Sequence, residues 1–464
     1  MKVQFYGAAR RVTGSKHLLT TAKGTKILLD CGMFQGINTS DLNLTFGFNP
    51  AEVDFVILSH AHIDHTGLLP RMIKQGFEGT VFCTPATKSL CEIMLMDSAG
   101  IQERDLKRVN QRRKKRGEEL LEILYDDKDV EKTIDLMQTH GYHELKEIEE
   151  GVSFSYYESG HILGSAGVNV EYTENGQTKR LFFTGDIGRP NDKILRSPEA
   201  FPQADYIISE STYGNRLHES EPDMRAHLLR IVHDTCVVKR GKLIIPAFSV
   251  DRTQELIYAL DVLEHEGHLP AIPVYIDSPL SVKATFVMRK HEEEFNAEIL
   301  DYIKRDGDAF GFETLNYITK VDDSKALNDS KEPCIIISSS GMAEAGRIKH
   351  HIANNVENPN NTILIVGYCS PSSLGYQIKI KADKVRIFGN DYRRLCDVEV
   401  MDSFSAHADY QEMIEYFKCQ NAKEVKKVFL VHGDFDVQAD FKAKLVAEGF
   451  TGVEIPQQGE GFVI

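Results

Sequence analysis

The stretch Ser59–Gly67 reads Ser-His-Ala-His-Ile-Asp-His-Thr-Gly and follows the short apolar run Phe55–Leu58. Four ligand-type side chains fall within six residues of it: His60, His62, Asp64 and His65. One metal ion cannot easily take all four from so short a span, whereas two adjacent ions can, if the first pair serves one ion and the second pair the other. The stretch therefore predicts a hydrolase with two metal ions.

Further ligand-type side chains stand where predicted strands end. A histidine or carboxylate at the C-terminal end of a strand projects into the loop layer, where sites are usually built. The positions that share this context are Asp30, His161, Asp186, Glu210, His407 and His432. Each one alone is more often a structural residue, but their joint occurrence favours a metal-dependent active site.

The order of predicted elements is that of an α/β protein. Strands are predicted at 16–21, 25–30, 55–58 and across 152–187, with Asn175-Gly176 as a hairpin turn. A helix is predicted over His65–Gln75, and residues 81–139 read as largely helical. From about residue 211, helices alternate with strands at 242–246, 274–276, 334–337, 362–366 and 385–388, which is typical of a parallel sheet.

Composition narrows the class of protein. The chain has 464 residues, which suggests about two or three domains. Its 54 basic and 69 acidic residues give a formal charge of −15, which argues against a general nucleic-acid coat protein. The N-terminus lacks the apolar core of a signal peptide, no run of about 18 apolar residues predicts a membrane span, and the eight cysteines lack paired spacing. A cytoplasmic protein with no membrane partner is expected.

Several motifs resemble those of a known family. His60-Ala61-His62-Ile63-Asp64-His65 is similar to the HxHxDH signature of the metallo-β-lactamase superfamily, and segments at 29–32, 160–161 and 184–186 resemble its first, third and fourth motifs. Ser209–Gly214, Phe404–Asp409 and Val431–Gly433 resemble motifs A, B and C of the β-CASP nucleases. The resemblance covers essentially the whole chain. Ser338–His351 looks closer to the polyadenylation-factor branch of that family than to RNase J.

The resemblance implies two zinc ions, each with three ligands of its own and one shared carboxylate, which leaves room for a bridging hydroxide. It assigns His60, His62 and His161 to the first ion, Asp64, His65 and His432 to the second, and Asp186 to both. Manganese or iron also suits this set of nitrogen and oxygen donors. Asp30 is expected to orient a ligand histidine through its free ring nitrogen.

The implied reaction is the hydrolysis of phosphodiester bonds in single-stranded RNA, in endonucleolytic or 5′-exonucleolytic mode. A hydroxide bridging the ions attacks phosphorus, and His407, held by Glu210, acts as general acid. Glu210, His407 and the metal-bound Asp64 are the predicted catalytic residues. Two alternatives stay open: a dinuclear hydrolase acting on DNA or on a small phosphodiester or thioester, and a non-catalytic scaffold for RNA processing.

The resemblance also predicts the domain organisation. A metallo-β-lactamase αββα sandwich is expected from residues 1–210 and 393–464, with an α/β β-CASP domain inserted at 211–392. Ser339, Ser340 and Ser405 are candidates for contact with substrate phosphates. The basic run Lys107–Arg116 is more typical of a solvated helix face than of an RNA contact. The sequence leaves the oligomeric state open, with a homodimer among the options.

Overall fold

The computed structural model describes residues 1–36, 39–218, 224–367, 369–401 and 406–464. Within these ranges, no helix combines the length and the apolar character that a membrane crossing requires. The chain forms two compact units. The first contains Met1–Asp192, Arg196–Leu217 and His407–Ile464, and the second contains Lys193–Leu195 and His218–Ala406.

The first unit begins with a β-rich segment into which four helices are inserted. Its elements up to residue 217 are β1 (Lys2–Gly7), β2 (Lys16–Thr20), β3 (Lys26–Leu29), β4 (Phe55–Ile57), α1 (Ile63–Thr66), α2 (Leu69–Lys74), β5 (Thr80–Cys83), α3 (Pro85–Arg116), α4 (Asp127–Asp135), β6 (Met137–Thr139), β7 (Lys146–Glu149), β8 (Val152–Glu158), β9 (Ala166–Glu174), β10 (Gln177–Phe183) and β11 (Tyr206–Ser209).

The second unit alternates strands and helices. Its elements are α5 (Met224–Val232), β12 (Lys242–Pro246), α6 (Arg252–His265), β13 (Val274–Ile276), α7 (Pro279–Met288), α8 (Ala297–Asp306), β14 (Leu315–Tyr317), α9 (Val321–Asp329), β15 (Cys334–Ser338), α10 (Ile348–Asn355), β16 (Thr362–Val366), α11 (Leu374–Lys379), β17 (Lys384–Ile387), β18 (Asn390–Arg393) and β19 (Asp397–Met401).

The chain then returns to the first unit with α12 (Tyr410–Phe417), β20 (Lys427–Leu430), α13 (Phe435–Ala447), β21 (Val453–Glu454) and β22 (Gly461–Val463). This return completes two sheets. Their strand orders in the described chain are β22-β1-β2-β3-β4-β5-β6 and β21-β20-β11-β10-β9-β8-β7. Strands from both ends of the sequence therefore lie side by side in each sheet, so the unit closes only when its C-terminal part is in place.

The two sheets of the first unit share one apolar core. Phe5 and Ile57 of one sheet and Phe183 and Phe429 of the other belong to the same buried cluster. The outer face of the second sheet is covered by helices, as Phe417 of α12 and other apolar residues of α12 and α13 pack against it. The predicted sandwich with an inserted α/β domain is confirmed by this arrangement.

Local chemistry explains the boundaries of the long helix α3. The Thr84 hydroxyl accepts a hydrogen bond from Thr87 N, Pro85 occupies the first helical position, and Gly117 ends the helix with φ 67°. The hairpin turn between β9 and β10 is also as predicted. Asn175 and Gly176 have φ 52° and 74°, the left-handed pair that a two-residue turn of this kind requires.

Two predicted elements differ from the structure. The single helix predicted over His65–Gln75 is two short helices, because Leu68 N bonds to Cys31 O and Pro70 has no backbone donor, so a new helix begins at Leu69. The predicted strand at 385–388 is β17, which pairs with β18 in an antiparallel hairpin. It does not join the parallel sheet, whose order is β14-β13-β15-β12-β16-β19.

Candidate metal centre

Seven predicted ligand side chains converge in the first unit. His60, His62, His161 and Asp186 form one group and Asp64, His65 and His432 a second, with the donor atoms of each group within 4.8 Å of one another. The cluster is almost completely withdrawn from solvent: only Asp64 and His62 are part-exposed. The segments after β4, β8, β10 and β20, including the short helix α1, carry these residues, so the strand-end context noted in the sequence corresponds to one place in space.

The ring nitrogens of the first group face each other across short distances. His62 Nδ1 lies 3.1 Å from His60 Nε2 and 3.3 Å from His161 Nε2. Neutral imidazoles offer one donor and one acceptor each, so three rings cannot satisfy each other in this arrangement. Ring nitrogens that converge in this way are the donor atoms that a cation requires.

Asp186 lies between the two groups. Its Oδ2 is 3.5 Å from His60 Nε2 and from His161 Nε2, and 3.4 Å from His65 Nε2. Its Oδ1 is buried with no hydrogen-bond donor among the described residues. A buried carboxylate oxygen without a donor is costly, and a pair of cations shared through Asp186 would compensate it.

The second group is closed by the returning part of the chain. His432 Nε2 lies 3.3 Å from both His65 Nε2 and Asp64 Oδ2. His432 has φ 51°, the left-handed region that non-glycine residues rarely adopt, and Asp30 has φ 58°. Such conformations persist where the surroundings over-determine them, and they cluster at functional sites.

Asp30 and Ser59 fix the orientation of two rings. Asp30 Oδ2 lies 2.7 Å from His65 Nδ1 and accepts a 2.8 Å hydrogen bond from the Ser59 hydroxyl. Because the Ser59 proton points at Asp30, its oxygen accepts from His60 Nδ1 at 3.0 Å. Both rings thus carry a proton on Nδ1 and turn Nε2 towards the cluster, the orientation that a metal ligand requires.

Thr212 orients the His432 ring in the same way. Its hydroxyl donates to His432 O at 3.2 Å and lies 3.0 Å from His432 Nδ1. The sequence prediction included Asp30 but missed Ser59 and Thr212. Ser59 directly precedes His60 and Thr212 lies two residues after Glu210, so adjacency to a motif residue was the signal available.

His407 and Glu210 lie beside the cluster. His407 Nδ1 is 3.2 Å from Glu210 Oε1, and the His407 ring centroid is 4.5 Å from that of His161. Glu210 is completely buried, and its carboxylate accepts from Ile187 N at 2.5 Å and from Thr212 N at 3.3 Å. Two backbone donors therefore hold this carboxylate against the His407 ring.

The surroundings set the protonation of these rings. Burial lowers the pKa of His60 and His161 well below the usual value, and lowers that of His62 to about 4. Burial also acts to lower the pKa of His407, but the Glu210, Asp186 and Asp64 carboxylates outweigh it and raise that pKa to about 9. The His60, His62 and His161 rings are therefore neutral at neutral pH, whereas His407 is a cation. At His65, the Asp186 and Asp30 carboxylates outweigh burial and raise the pKa well above its usual value.

Of the serines predicted to contact substrate phosphates, the two that the structure describes do not belong to the metal cluster. Ser339 and Ser340 belong to the second unit, where the Ser339 hydroxyl lies 2.8 Å from that of Ser278 and the Ser340 hydroxyl accepts from Glu344 N at 3.1 Å. The helix that follows begins only at Ile348, so these serines do not cap it. Ser405 lies outside the described residues.

Comparison with known families matches three parts of the chain. Residues 18–210 match the metallo-β-lactamase superfamily domain, residues 253–378 the β-CASP domain, and residues 391–456 the Zn-dependent metallo-hydrolase RNA specificity domain. The fold and the histidine–aspartate cluster define a metallo-β-lactamase-type metal-dependent hydrolase.

Comparison with known proteins identifies the family within that class. A ribonuclease of Thermus thermophilus is 32% identical over 461 residues, which are 99% of each chain. Transcription termination factor FttA of Methanosarcina mazei is 29% identical over 98% of this chain and 71% of its own length. Cleavage and polyadenylation specificity factor 73 of Drosophila melanogaster is 29% identical over 97% of this chain and 62% of its own length. The chain belongs to the β-CASP family, and this membership implies that the cluster is a metal-binding site.

Proposed function

We propose that this protein is a zinc-dependent ribonuclease that hydrolyses phosphodiester bonds of single-stranded RNA. The observation that carries the proposal is the position of the His407–Glu210 pair beside a seven-residue cluster of metal-type donors. Hydrolysis of a small-molecule substrate with a good leaving group needs no such acid. The names of the relatives, a ribonuclease and a cleavage and polyadenylation factor, support RNA as the substrate.

Two zinc ions fit the donor set. His60, His62 and His161 would hold one ion and Asp64, His65 and His432 the other, with Asp186 shared. The all-nitrogen and oxygen set, its burial and the donorless Asp186 Oδ1 support this assignment. When bound, the ions lower the pKa of a water molecule and polarise a phosphoryl oxygen.

His407 would supply the proton that the leaving oxygen needs. Its raised pKa keeps the ring protonated at neutral pH, and Glu210 engages Nδ1, so Nε2 is the nitrogen available to donate. Glu210 acts through His407 as a positioning residue and stabilises its cationic form. Asp30, Ser59 and Thr212 hold the ligand rings in the tautomers that leave Nε2 free to coordinate.

A cleavage assay with end-labelled oligomers tests the proposal. Zinc-loaded protein is incubated with 5′- and 3′-labelled single-stranded RNA and with DNA of the same sequence, beside His407→Ala and a control. The control is His143→Ala, which removes the ring of another His–Glu pair: His143 Nε2 lies 3.2 Å from Glu199 Oε2 on the surface.

The expected result is RNA cleavage that leaves 5′-phosphates. The rate should fall about 10²- to 10⁴-fold in His407→Ala, because general acid–base catalysis contributes about that much, while His143→Ala cleaves as wild type. The two labels separate internal cleavage from stepwise shortening at the 5′ end. Cleavage of DNA with RNA left intact would contradict the proposed substrate. Undiminished cleavage by His407→Ala that retains its zinc would contradict the assigned acid.

A further inference from the structure

The second half of α3 carries a row of arginines that the proposed centre does not use. Arg104, Arg108, Arg112 and Arg116 recur at every fourth position, so they lie along one side of the helix. We call these four residues the arginine ridge. A rise of about 1.5 Å per residue separates successive members by about 6 Å and makes the ridge about 18 Å long.

The opposite side of this half-helix is covered by the chain that follows it. The Asn110 side chain exchanges two 2.9 Å hydrogen bonds with the backbone of Leu121, and Arg113 Nε donates to Glu119 O at 2.5 Å. The covering segment thus fixes which face of α3 meets solvent. All four ridge residues are exposed, with 76% of the Arg108 side chain and 72% of the Arg116 side chain accessible.

The ridge charges are weakly compensated within the protein. Arg104 and Arg112 have no ion-pair partner in the described part of the chain. The carboxylates nearest to Arg108 and Arg116 lie 3.9 Å away, on Asp105 and Glu118. Like charges four residues apart destabilise a helix by about 0.2–0.5 kcal/mol per pair, and the ridge contains three such pairs in a chain whose net charge is −15. An external anion would remove this repulsion.

The ridge lies at a defined reach from the metal centre. The hydroxyls of Thr84 and Thr87, at the start of α3, both donate to Gly164 O, three residues after His161, at 2.7 and 2.8 Å. Arg104 is twenty residues after Thr84, so the ridge begins about 30 Å along the helix axis from the loop that carries His161. A ligand held at both places must be an extended polymer.

We propose that the arginine ridge binds the phosphate backbone of the RNA substrate at a distance from the bond that is cleaved. The proposal rests on the ribonuclease function proposed above. Guanidinium groups form paired hydrogen bonds with phosphate, and a row of four of them offers several such contacts to one strand. Such contacts carry no base preference and weaken with salt.

Charge-matched variants test the proposal. In the ridge variant, Arg104, Arg108 and Arg112 are replaced by Gln, a good helix former. In the control variant, the exposed residues Lys2, Lys418 and Lys423 are replaced by Gln, which removes the same charge elsewhere in the first unit. Cleavage is measured with RNA of about 30 nucleotides and with RNA of about 5 nucleotides, which is too short to span the 30 Å.

On the long RNA, KM should rise about tenfold in the ridge variant with kcat little changed. For this variant, the slope of log RNA affinity against log salt concentration should become shallower by about 2, because each lost single-strand phosphate contact removes about 0.7 from the slope. The difference in KM between the ridge variant and wild type should shrink as the RNA is shortened. The control variant should match wild type. Equal losses on long and short RNA, or a ridge variant with unchanged KM, would overturn the proposal.

Binding measurements keep this proposal separate from the ribonuclease function. Fluorescence anisotropy reports the affinity of labelled 30-nucleotide RNA whether or not it is cleaved. If wild type binds RNA without cleaving it, the ribonuclease proposal fails, and weaker binding by the ridge variant still supports the ridge. Polyglutamate, an acidic polymer without phosphates, serves as the alternative ligand in the same assay. Equal RNA affinity of both proteins, or a ridge variant that loses affinity only for polyglutamate, would overturn the ridge as an RNA site.

Discussion

Two buried clusters of histidine and aspartate, one in each compact unit, differ in how their polar atoms are satisfied. In the second unit, Asp277 lies 2.6 Å from both His351 Nε2 and Arg347 Nη1, and His351 Nδ1 lies 2.9 Å from Asn328 Oδ1. Both ring nitrogens of His351 therefore face an oxygen that can accept a hydrogen bond. In the first unit, ring nitrogens of His60, His62 and His161 face one another instead.

The difference separates a structural cluster from a site. The hydrogen bonds from His351, Ser324 and Arg347 outweigh burial and lower the pKa of Asp277, so its carboxylate is compensated by the protein itself. Among the described residues, the cluster around Asp186 retains a buried carboxylate oxygen without a hydrogen-bond donor, and bound cations would compensate it. Burial of histidine beside aspartate is common to both. They differ in that three histidine rings of the first cluster converge on one carboxylate oxygen, Asp186 Oδ2.

Loss of one ring from the first cluster should have the largest effect. His62→Ala removes one of three nitrogens assigned to one ion, so we expect loss of that ion and a cleavage rate at least about 10³-fold lower, the scale at which removing a catalytic group acts. Zinc content and cleavage of labelled RNA are measured on the same preparation. A variant that keeps full zinc and full activity would show that His62 is not a ligand.

The corresponding change in the second cluster should affect folding instead. His351→Ala removes one hydrogen-bond partner from the buried Asp277 carboxylate while Arg347 stays in place, and leaving a buried polar group short of a partner costs about 1–3 kcal/mol. Urea denaturation should show a lower free energy of unfolding, while zinc per chain stays at the wild-type value. Loss of zinc from a folded His351→Ala protein would contradict the distinction between the clusters.

A smaller effect is expected from a residue that only orients a ligand of the first cluster. Thr212→Val removes the hydroxyl that holds His432 Nδ1 and keeps the side-chain shape, so zinc affinity should fall about 10- to 100-fold, as for other residues that orient metal ligands. Thr212→Ser retains the hydroxyl and is the matched control. Competition with a chelator measures both affinities. Equal affinities for the two variants would remove Thr212 from the account.

The smallest effect concerns the pH dependence of cleavage. His407 must be protonated to act as an acid, so the rate should fall as pH rises through its pKa of about 9. Glu210→Gln removes the carboxylate that most raises this pKa, so the alkaline fall should move to lower pH by about 1–3 units, the usual effect of a neighbouring charge. A pH–rate profile of the variant that coincides with wild type would contradict the role of Glu210.

The sequence predicted the fold class because its motifs resemble those of one family and its strands alternate clearly. It failed where tertiary contacts decide local structure. The helix over His65–Gln75 is interrupted by a bond between Leu68 and Cys31, and β17 pairs locally with β18.

The candidate ligands were named from the sequence because histidine and aspartate at strand ends are rare enough to notice. The hydroxyls of Ser59 and Thr212 were missed, since serine and threonine are common and their role depends on a 3.0 Å approach to a ring nitrogen. The sequence assigned His161 to the cluster through its motif, but the pairing of His351 with Asp277 depends on a tertiary contact.

The central claim is that the cluster around Asp186 in the first unit binds a pair of zinc ions and that the cluster around Asp277 in the second unit binds none. Native mass spectrometry of the zinc-loaded protein counts metal ions per chain most directly. The account predicts two zinc ions per chain, retained in His351→Ala. A wild-type protein that binds no zinc ion, or a single one, would contradict it.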